Sequence, residues 1–307
     1  MNSTLADRLV SWFAGAKRDL PWRKEPRDPY RVWISEVMLQ QTRVDVVIPY
    51  YRRFLRRFPT LRALAEAPLD DVLAHWSRAA QACGGSLPGT AAQLRTLPGF
   101  GPYTAAAVAS LAFGEDVPLV DGNVARVLSR IFTVRGDARA KAWKIAAQLL
   151  PAGGGGPFNE ALMELGATVC TPRNPACGRC PVQEMCRGRN DPTRYPSPRR
   201  RAQRLMLEWR ALALRRRDGA VLLARRPTGT LFAGLWDLPA EKPTLTHREV
   251  SVMIGTARAS GTPVDADVRW MAPEGIAALG ISSLARKSLR CAGVLTPART
   301  SRTLPAP

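Results

Sequence analysis

Four cysteines crowded into residues 170–186 constrain this chain more than any other feature of its sequence. Their spacing is Cys170-x6-Cys177-x2-Cys180-x5-Cys186, whereas Cys83 and Cys291 stand alone. Four thiolates on so short a loop can surround one metal centre without ordering a long stretch of chain. Zinc and an iron–sulfur cluster both accept four thiolates, so the spacing by itself leaves these two alternatives nearly even.

The chain carries a large excess of positive charge. Its 307 residues include 45 Lys and Arg against 25 Asp and Glu, a net charge of +20, which favours nucleic acid as a partner and an anionic membrane surface second. The longest mostly apolar run, Tyr103 to Phe113, is too short to span a bilayer, so we expect a soluble cytoplasmic protein. With only His75 and His247 present, a Ser-His-Asp hydrolase is disfavoured and acid–base chemistry falls to carboxylates.

Helical patterning dominates residues 5–150. After the helix-starting pair Asp28-Pro29, apolar residues recur at helical spacing and predict a helix with a core-facing stripe. Glu36 lies with Gln40 and Gln41 on the polar edge of this helix. On pattern alone, that edge favours a solvent-exposed face.

The composition changes between residues 187 and 204, where prolines alternate with arginines and predict a basic, extended linker. Beyond it, the apolar runs 209–214 and 220–224 flank the turn pair Asp218-Gly219 and predict a β-hairpin. The predicted organisation is a helical domain over 1–186, the linker over 187–204 and a small α+β domain over 205–307.

A glycine-containing hairpin occupies residues 97–104, ahead of an alanine-rich helix. Gly99 and Gly101 leave backbone N–H groups bare at a helix N-terminus, where a phosphate can approach. This predicts a helix-hairpin-helix that grips the DNA backbone, with a plain helix–turn–helix connection as the alternative. Asp121, just ahead of a further helix, could be a simple N-cap.

These motifs together resemble the helix-hairpin-helix DNA glycosylase superfamily, and in detail its adenine glycosylase branch, the MutY family. The resemblance spans most of residues 5–190 and rests on Leu20 to Arg23, Val32 to Thr42, Leu97 to Thr104, Val120 to Val124 and the cysteine spacing. It implies a mainly α fold, and it decides the cysteine site in favour of a [4Fe–4S] cluster.

The resemblance also implies a function in base-excision repair: hydrolysis of the N-glycosidic bond of adenine paired with 8-oxoguanine or guanine, after the adenosine leaves the duplex. Glu36 would protonate adenine at N7, and Asp121 would stabilise the oxocarbenium-like charge on the sugar. Tyr103 and Asn123 match positions that support this pair. We expect a monomer, associated with the nucleoid, whose partner is double-stranded DNA containing an adenine mispair, and no membrane partner.

The resemblance implies further contacts with DNA. Arg23 would lie around the flipped adenine, Gln41 and Thr42 would form a wedge beside the oxidised guanine, and Gly99 and Gly101 would face phosphates. Bifunctional relatives such as endonuclease III have a lysine at position 103 that forms a Schiff base, which the Tyr103 phenol cannot do. A monofunctional glycosylase is therefore expected.

The second domain resembles the Nudix-like recognition domain of the same family, and Thr246-His247 would be its loop that inspects 8-oxoguanine. It lacks the glutamate-rich helix of Nudix hydrolases, so no pyrophosphate hydrolysis is implied. Two family segments are also absent: a Leu-Gly-Tyr-Tyr stretch after Trp76-Ser77, and part of the second domain after Pro239, which is therefore expected to be truncated. These gaps leave two alternatives open, a weak or inactive DNA-binding relic and an endonuclease III-like bifunctional glycosylase/lyase.

Overall fold

The structure is a computed structural model that describes residues 3–40, 42–67, 86–197, 205–227, 234–239, 248–263, 265 and 267–295. The described residues form two compact units. The first, helical unit contains residues 3–66 and 86–197. The second contains the described residues from 205 onward.

The helical unit is built from nine helices within its described residues, together with short 3-10 turns. The helices are α1 (Leu5–Ala16), α2 (Pro29–Leu39), α3 (Val44–Arg57), α4 (Leu61–Ala65), α5 (Ala91–Leu94), α6 (Pro102–Phe113), α7 (Gly122–Ile131), α8 (Ala138–Leu149) and α9 (Gly155–Thr168). The 3-10 turns are Pro21–Arg23, Cys177–Arg179, Gln183–Met185 and Pro192–Arg194.

Polar caps define where several of these helices begin. Thr4 and Asp7 form a reciprocal capping box at α1. Asp28 accepts hydrogen bonds from the first-turn N–H groups of α2, and Pro29 follows at the first helical position, as the sequence predicts. Asp121 caps α7.

The largest core cluster joins α1, α7, α8 and α9 to the cysteine loop. Its central side chains include Leu9, Leu128, Phe158 and Val182, all fully buried. A second contact fixes α2 against the hairpin, because the rings of Trp33 and Phe100 stack with their centroids 5.4 Å apart. That contact brings the polar edge of α2 up against the start of α6.

The predicted helix-hairpin-helix is present as α5, a tight hairpin and α6. Gly99 has φ of +84°, a conformation that glycine adopts without strain. Gly101 is the N-cap of α6 and, in this part of the chain, no side-chain hydrogen bond caps the helix. Both glycines are exposed, so the hairpin presents backbone rather than side chains to its surroundings.

Residues 187–195, in the first half of the predicted linker, pack against the helical unit. The N–H groups of Arg187 and Gly188 donate to the carbonyls of Ile131 and Arg130 at 3.0 and 2.9 Å, and the Arg130 guanidinium donates to the Tyr195 carbonyl. Residues 198–204 lie outside the described part of the chain. The position of a free linker between the units therefore stays a prediction.

Within its described residues, the second unit is a mixed sheet with one α-helix, which confirms the predicted α+β character. Its elements are β1 (Leu205–Arg215), β2 (Val221–Arg225), β3 (Trp236–Asp237), β4 (Arg248–Arg258), β5 (Val268–Met271), the 3-10 turn Pro273–Ala278 and α10 (Ser283–Cys291). The strand order is β3-β2-β1-β4, with β5 also paired to β2. The predicted hairpin is the antiparallel pair β1–β2, and the long parallel pair β1–β4 lies beside it.

None of the helices in the described residues is long and apolar enough to cross a membrane.

Candidate active site

A cavity of about 700 Å³ opens in the helical unit and is lined by residues from α2, α6, α7 and α9. Six residues that the sequence singled out line it: Arg23, Glu36, Thr42, Tyr103, Asp121 and Asn123. These positions are far apart in sequence, so the helical packing brings them together. The cavity is the candidate active site.

Glu36 is buried in the wall of this cavity, with only 3% of its surface exposed. Its Oε2 accepts a hydrogen bond from the Tyr103 hydroxyl at 2.5 Å. Burial raises the pKa of Glu36 to about 7, and the negative charges of Asp121 and Glu160 act in the same direction, while the Tyr103 hydrogen bond and Arg23 oppose the rise. The solvent-exposed face that the pattern favoured is therefore wrong for Glu36, which can carry a proton at neutral pH.

Asp121 is both a helix cap and a cavity residue. Its Oδ1 accepts the Val124 N–H at 2.7 Å, and its Oδ2 accepts from the Asn123 side-chain amide at 3.0 Å. Burial raises the pKa of Asp121, and hydrogen bonds from Val124 and Asn123 oppose that rise. Capping leaves this carboxylate facing the cavity, so the two interpretations of Asp121 are compatible.

Asn123 connects Asp121 to the start of the cysteine loop through Arg126. The Arg126 guanidinium donates to the Asn123 Oδ1 at 2.8 Å, to the Gly166 carbonyl at 2.7 Å and to the Cys170 carbonyl at 2.9 Å. These contacts fix the amide so that its N–H₂ points at Asp121.

A network of ion pairs that the sequence analysis missed forms another wall of the cavity. Arg23 pairs with Glu160 at 3.0 Å and with Glu164 at 2.9 Å; Arg18 also pairs with Glu164, and Arg27 with Glu160. The Glu164 side chain is completely buried. These ion pairs hold Arg23 in place. Because Glu160 and Glu164 neutralise its charge, Arg23 can donate hydrogen bonds into the cavity without being an unpaired buried cation.

The four loop cysteines surround a shared cavity together with Arg130, and they are free thiols. Burial raises the pKa of Cys180 to about 11, and Cys170, Cys186 and Cys177 add to the rise. Four thiols that share one cavity are the donor set of a metal centre with four thiolate ligands, so the residues present fit an iron–sulfur cluster.

Arg130 ties down the beginning of the same loop. Its buried guanidinium donates to the carbonyls of Thr171 at 2.7 Å and Pro172 at 2.9 Å, and it lies 3.3 Å from the Cys170 sulfur. These contacts hold the first cysteine of the loop in place.

The structure describes only some of the remaining residues that were predicted to contact DNA. Thr42 is exposed and lies on the rim of the cavity, and Gly99 and Gly101 are exposed in the hairpin. Gln41, Thr246 and His247 lie outside the described residues. Their roles stay predictions.

Comparison with known proteins agrees with this site. Residues 34–152 match the family model of the HhH-GPD superfamily base excision DNA repair proteins, and residues 170–186 match the iron-sulfur binding domain of endonuclease III. A solved thermostable thymine-DNA glycosylase aligns with a TM-score of 0.54 at 28% identity, covering 60% of this chain and 94% of that one.

Two of the curated relatives that the chain matches are adenine DNA glycosylases. The chain is 44% identical over 210 residues to the adenine DNA glycosylase of Homo sapiens, covering 59% of this chain and 38% of the human protein. It is 40% identical over 215 residues to the adenine DNA glycosylase of Mycolicibacterium smegmatis, covering 64% of this chain and 73% of that protein. The chain spans about half the length of several curated relatives that it matches.

The hairpin, the paired carboxylates of the cavity and the four-cysteine loop define a helix-hairpin-helix protein of base-excision repair. The iron–sulfur site that the family resemblance predicted is confirmed by the match over the whole loop. Within this class, the chain belongs to the adenine DNA glycosylase family.

Proposed function

We propose that this protein is a monofunctional glycosylase that releases adenine paired with 8-oxoguanine or guanine in double-stranded DNA. The observation that carries the proposal is the buried Glu36, hydrogen-bonded to Tyr103 and close enough to Asp121 to feel its charge, in one cavity. The names of its relatives support adenine as the base. We further propose that it acts as a monomer, on DNA of the nucleoid.

Glu36 would act as the general acid. Adenine is a poor leaving group until a ring nitrogen is protonated, and a carboxyl with a pKa of about 7 retains a proton to donate near neutral pH. Donation to adenine N7 would allow the bond from C1′ to N9 to break, with its electron pair passing to the base.

Asp121 would act on the sugar. Breaking the bond leaves positive charge on C1′ and the ring oxygen, and an ionised carboxylate in a partly enclosed cavity stabilises that charge. The amide of Asn123 and the N–H of Val124 hold the Asp121 carboxylate in place. Water then adds at C1′ and gives up one proton to a carboxylate of the cavity, which completes hydrolysis and leaves an abasic site.

Tyr103 supports the monofunctional form of the reaction. A Schiff base with the sugar requires an amine, whereas the Tyr103 hydroxyl is committed to Glu36 and burial raises its pKa well above the usual range. The bifunctional lyase is therefore not favoured. The inactive relic is also not favoured, because Glu36 and Asp121 keep both their enclosure and their partners.

The loop cysteines Cys170, Cys177, Cys180 and Cys186 would hold the cluster. A cluster held by these four thiolates would cross-link the loop, and the base-release chemistry would fall to the carboxylates.

The exposed hairpin glycines would contact the proposed DNA partner, because their bare backbone N–H groups suit phosphates.

A glycosylase assay tests the proposal. Duplexes with adenine opposite 8-oxoguanine, guanine or thymine are incubated with the protein and analysed with and without alkali. We expect release from the first two duplexes and strand breaks only after alkali. Breaks without alkali would support a lyase, and binding without release on any duplex would support the relic.

The excision rate should fall at high pH. Only the protonated form of Glu36 can donate, so the single-turnover rate should decline about tenfold per pH unit above its pKa of about 7. At acid pH the rate should also fall, because Asp121, whose pKa burial raises, must be ionised to stabilise the charge on the sugar. The Tyr103 hydrogen bond lowers this pKa, so in Tyr103→Phe the decline of the rate should begin at a higher pH. A profile that stays level through pH 9 in the parent would exclude Glu36 as the acid.

A methyl group added at Gly166 should disturb Asp121 indirectly. A Cβ there would lie 2.6 Å from the Asn123 Cβ and 3.2 Å from its backbone, so Gly166→Ala must displace the residue that orients Asp121. We expect a stability loss of about 1–3 kcal/mol and an excision rate lower by roughly 10–100-fold.

Gly15→Ala is the matched control for Gly166→Ala. Gly15 is also helical, and a Cβ there meets nothing within 4 Å. Thermal unfolding and single-turnover excision are measured for both variants. Parent-like excision by Gly166→Ala would show that Asn123 does not need its present position.

A further inference from the structure

The second unit contains an open cleft of about 850 Å³ that is lined by four arginines. They are Arg215, Arg216, Arg217 and Arg258, and small residues line the rest of the described cleft. Among the described residues, this lining contains no carboxylate, and all of it belongs to the second unit.

The fold itself makes the arginines converge. Arg215 at the end of β1 is the register partner of Arg258 at the end of β4, so the parallel pairing sets them side by side. The turn at Gly219, with φ of +87°, reverses the chain directly after Arg216 and Arg217. The three consecutive arginines and Arg258 therefore share one end of the sheet.

Two of these arginines have local partners. Arg215 donates to the Ala292 carbonyl at 2.6 Å, at the C-cap of α10, where a positive charge suits the helix end. Arg216 donates to Asp218 at 3.0 Å and lies over the Trp270 ring. Both are held in place by contacts within the unit.

The other two have no such partner. Arg217 and Arg258 are exposed, and within the described residues neither forms an ion pair or a side-chain hydrogen bond. Asp218 offsets the charge of Arg216 alone, so the other like charges repel one another, and this repulsion is relieved when an anion binds between them. The cleft therefore carries an excess of positive charge that suits a polyanion.

We propose that this cleft binds the phosphodiester backbone of DNA, as a second contact in addition to the hairpin of the helical unit. A site for a small phosphate compound would enclose its ligand, whereas Arg217 and Arg258 are exposed at an open cleft. Exposed guanidinium groups beside small residues suit a long, charged backbone, which they contact without reading bases. The inference rests on the proposed action on DNA.

The test is the affinity of the full chain for a duplex, measured by fluorescence anisotropy over a range of salt concentrations. The variant is Arg217→Gln with Arg258→Gln. Its matched control is Arg210→Gln with Lys287→Gln, which removes the same charge from exposed positions of the same unit outside the cleft. We expect the cleft variant to bind about tenfold more weakly, with a salt slope smaller by about one per lost arginine, and the control to stay within about twofold of the parent.

A second measurement uses the unchanged protein. Arginines are modified with phenylglyoxal with and without duplex, and modified sites are counted by mass spectrometry. Protection of Arg217 and Arg258, with Arg210 unprotected, supports the proposal.

Equal affinities of the two variants, or no protection, would overturn the inference while leaving the glycosylase proposal intact. A parent that binds no duplex at all would reject both. If the cleft variant loses binding only to phosphatidylserine vesicles and keeps its affinity for DNA, the cleft serves a membrane surface and the inference is overturned.

Discussion

Glu36→Gln is expected to lower the single-turnover rate of adenine release by about 10²–10⁴-fold while leaving duplex affinity within about threefold of the parent. General acid catalysis contributes about this much to a rate, and glutamine keeps the shape of the side chain but has no proton to give. Phosphate contacts through the hairpin do not involve Glu36, so binding and chemistry should separate. Rates are measured with enzyme in excess over a duplex that contains adenine opposite 8-oxoguanine.

The matched control is Glu184→Gln, which removes an exposed carboxylate that, among the described residues, forms an ion pair with Arg8. It should excise at the parent rate. If Glu36→Gln also excises at that rate, Glu36 has no catalytic role. If it loses duplex affinity in proportion to its rate, Glu36 contributes to binding or folding rather than to the transition state.

Local patterns were enough to predict the separate parts of this fold. Four features depend on interactions within a few residues of sequence, and all four have the predicted local structure. They are the caps at Asp28 and Asp121, the hairpin glycines and the turn Asp218-Gly219. The cysteine loop belongs to the same class, because a short segment brings its own ligands together. Such features depend on backbone geometry that neighbouring residues set.

The cavity wall shows what local patterns miss. Glu160 and Glu164 lie four residues apart on α9, a spacing that usually marks a solvent-exposed face, yet both are buried against arginines near the chain's start. Pairing across some 140 positions leaves no periodic trace in either segment. The one available signal was the match between two acidic positions on an otherwise apolar helix and the cluster of arginines at 18, 23 and 27.

The burial of Glu36 could likewise not be predicted from local patterns. Helical spacing assigns it correctly to the polar edge of α2, but spacing cannot show that α6 covers this edge and supplies Tyr103. Only the resemblance to a family anticipated an enclosed acid. The pKa of about 7 then follows from burial, which is a property of packing and not of the residue's neighbours in sequence.

The cysteine loop leads to the other prediction with a large expected effect. Cys180→Ser should remove iron and the associated visible absorption from anaerobically purified protein. Cys180 packs with Cys170 and Cys186 against a core that includes Val182, so its loss also frees part of that core. A loss of about 3 kcal/mol in the free energy of unfolding would lower the melting temperature by roughly 6–12 °C.

Cys291→Ser is the matched control, because Cys291 is an exposed thiol at the end of α10 and far in sequence from the loop. It should keep the iron, the brown colour and the melting temperature of the parent. Arg130 and Arg126 hold the loop's start at Cys170 and Thr171 without help from Cys180, so in Cys180→Ser we expect hydrogen exchange to rise most over residues 177–186. Parent-like iron content in Cys180→Ser would show that this cysteine is not a ligand, and stoichiometric zinc in the parent would return the site to the alternative that the spacing first left open.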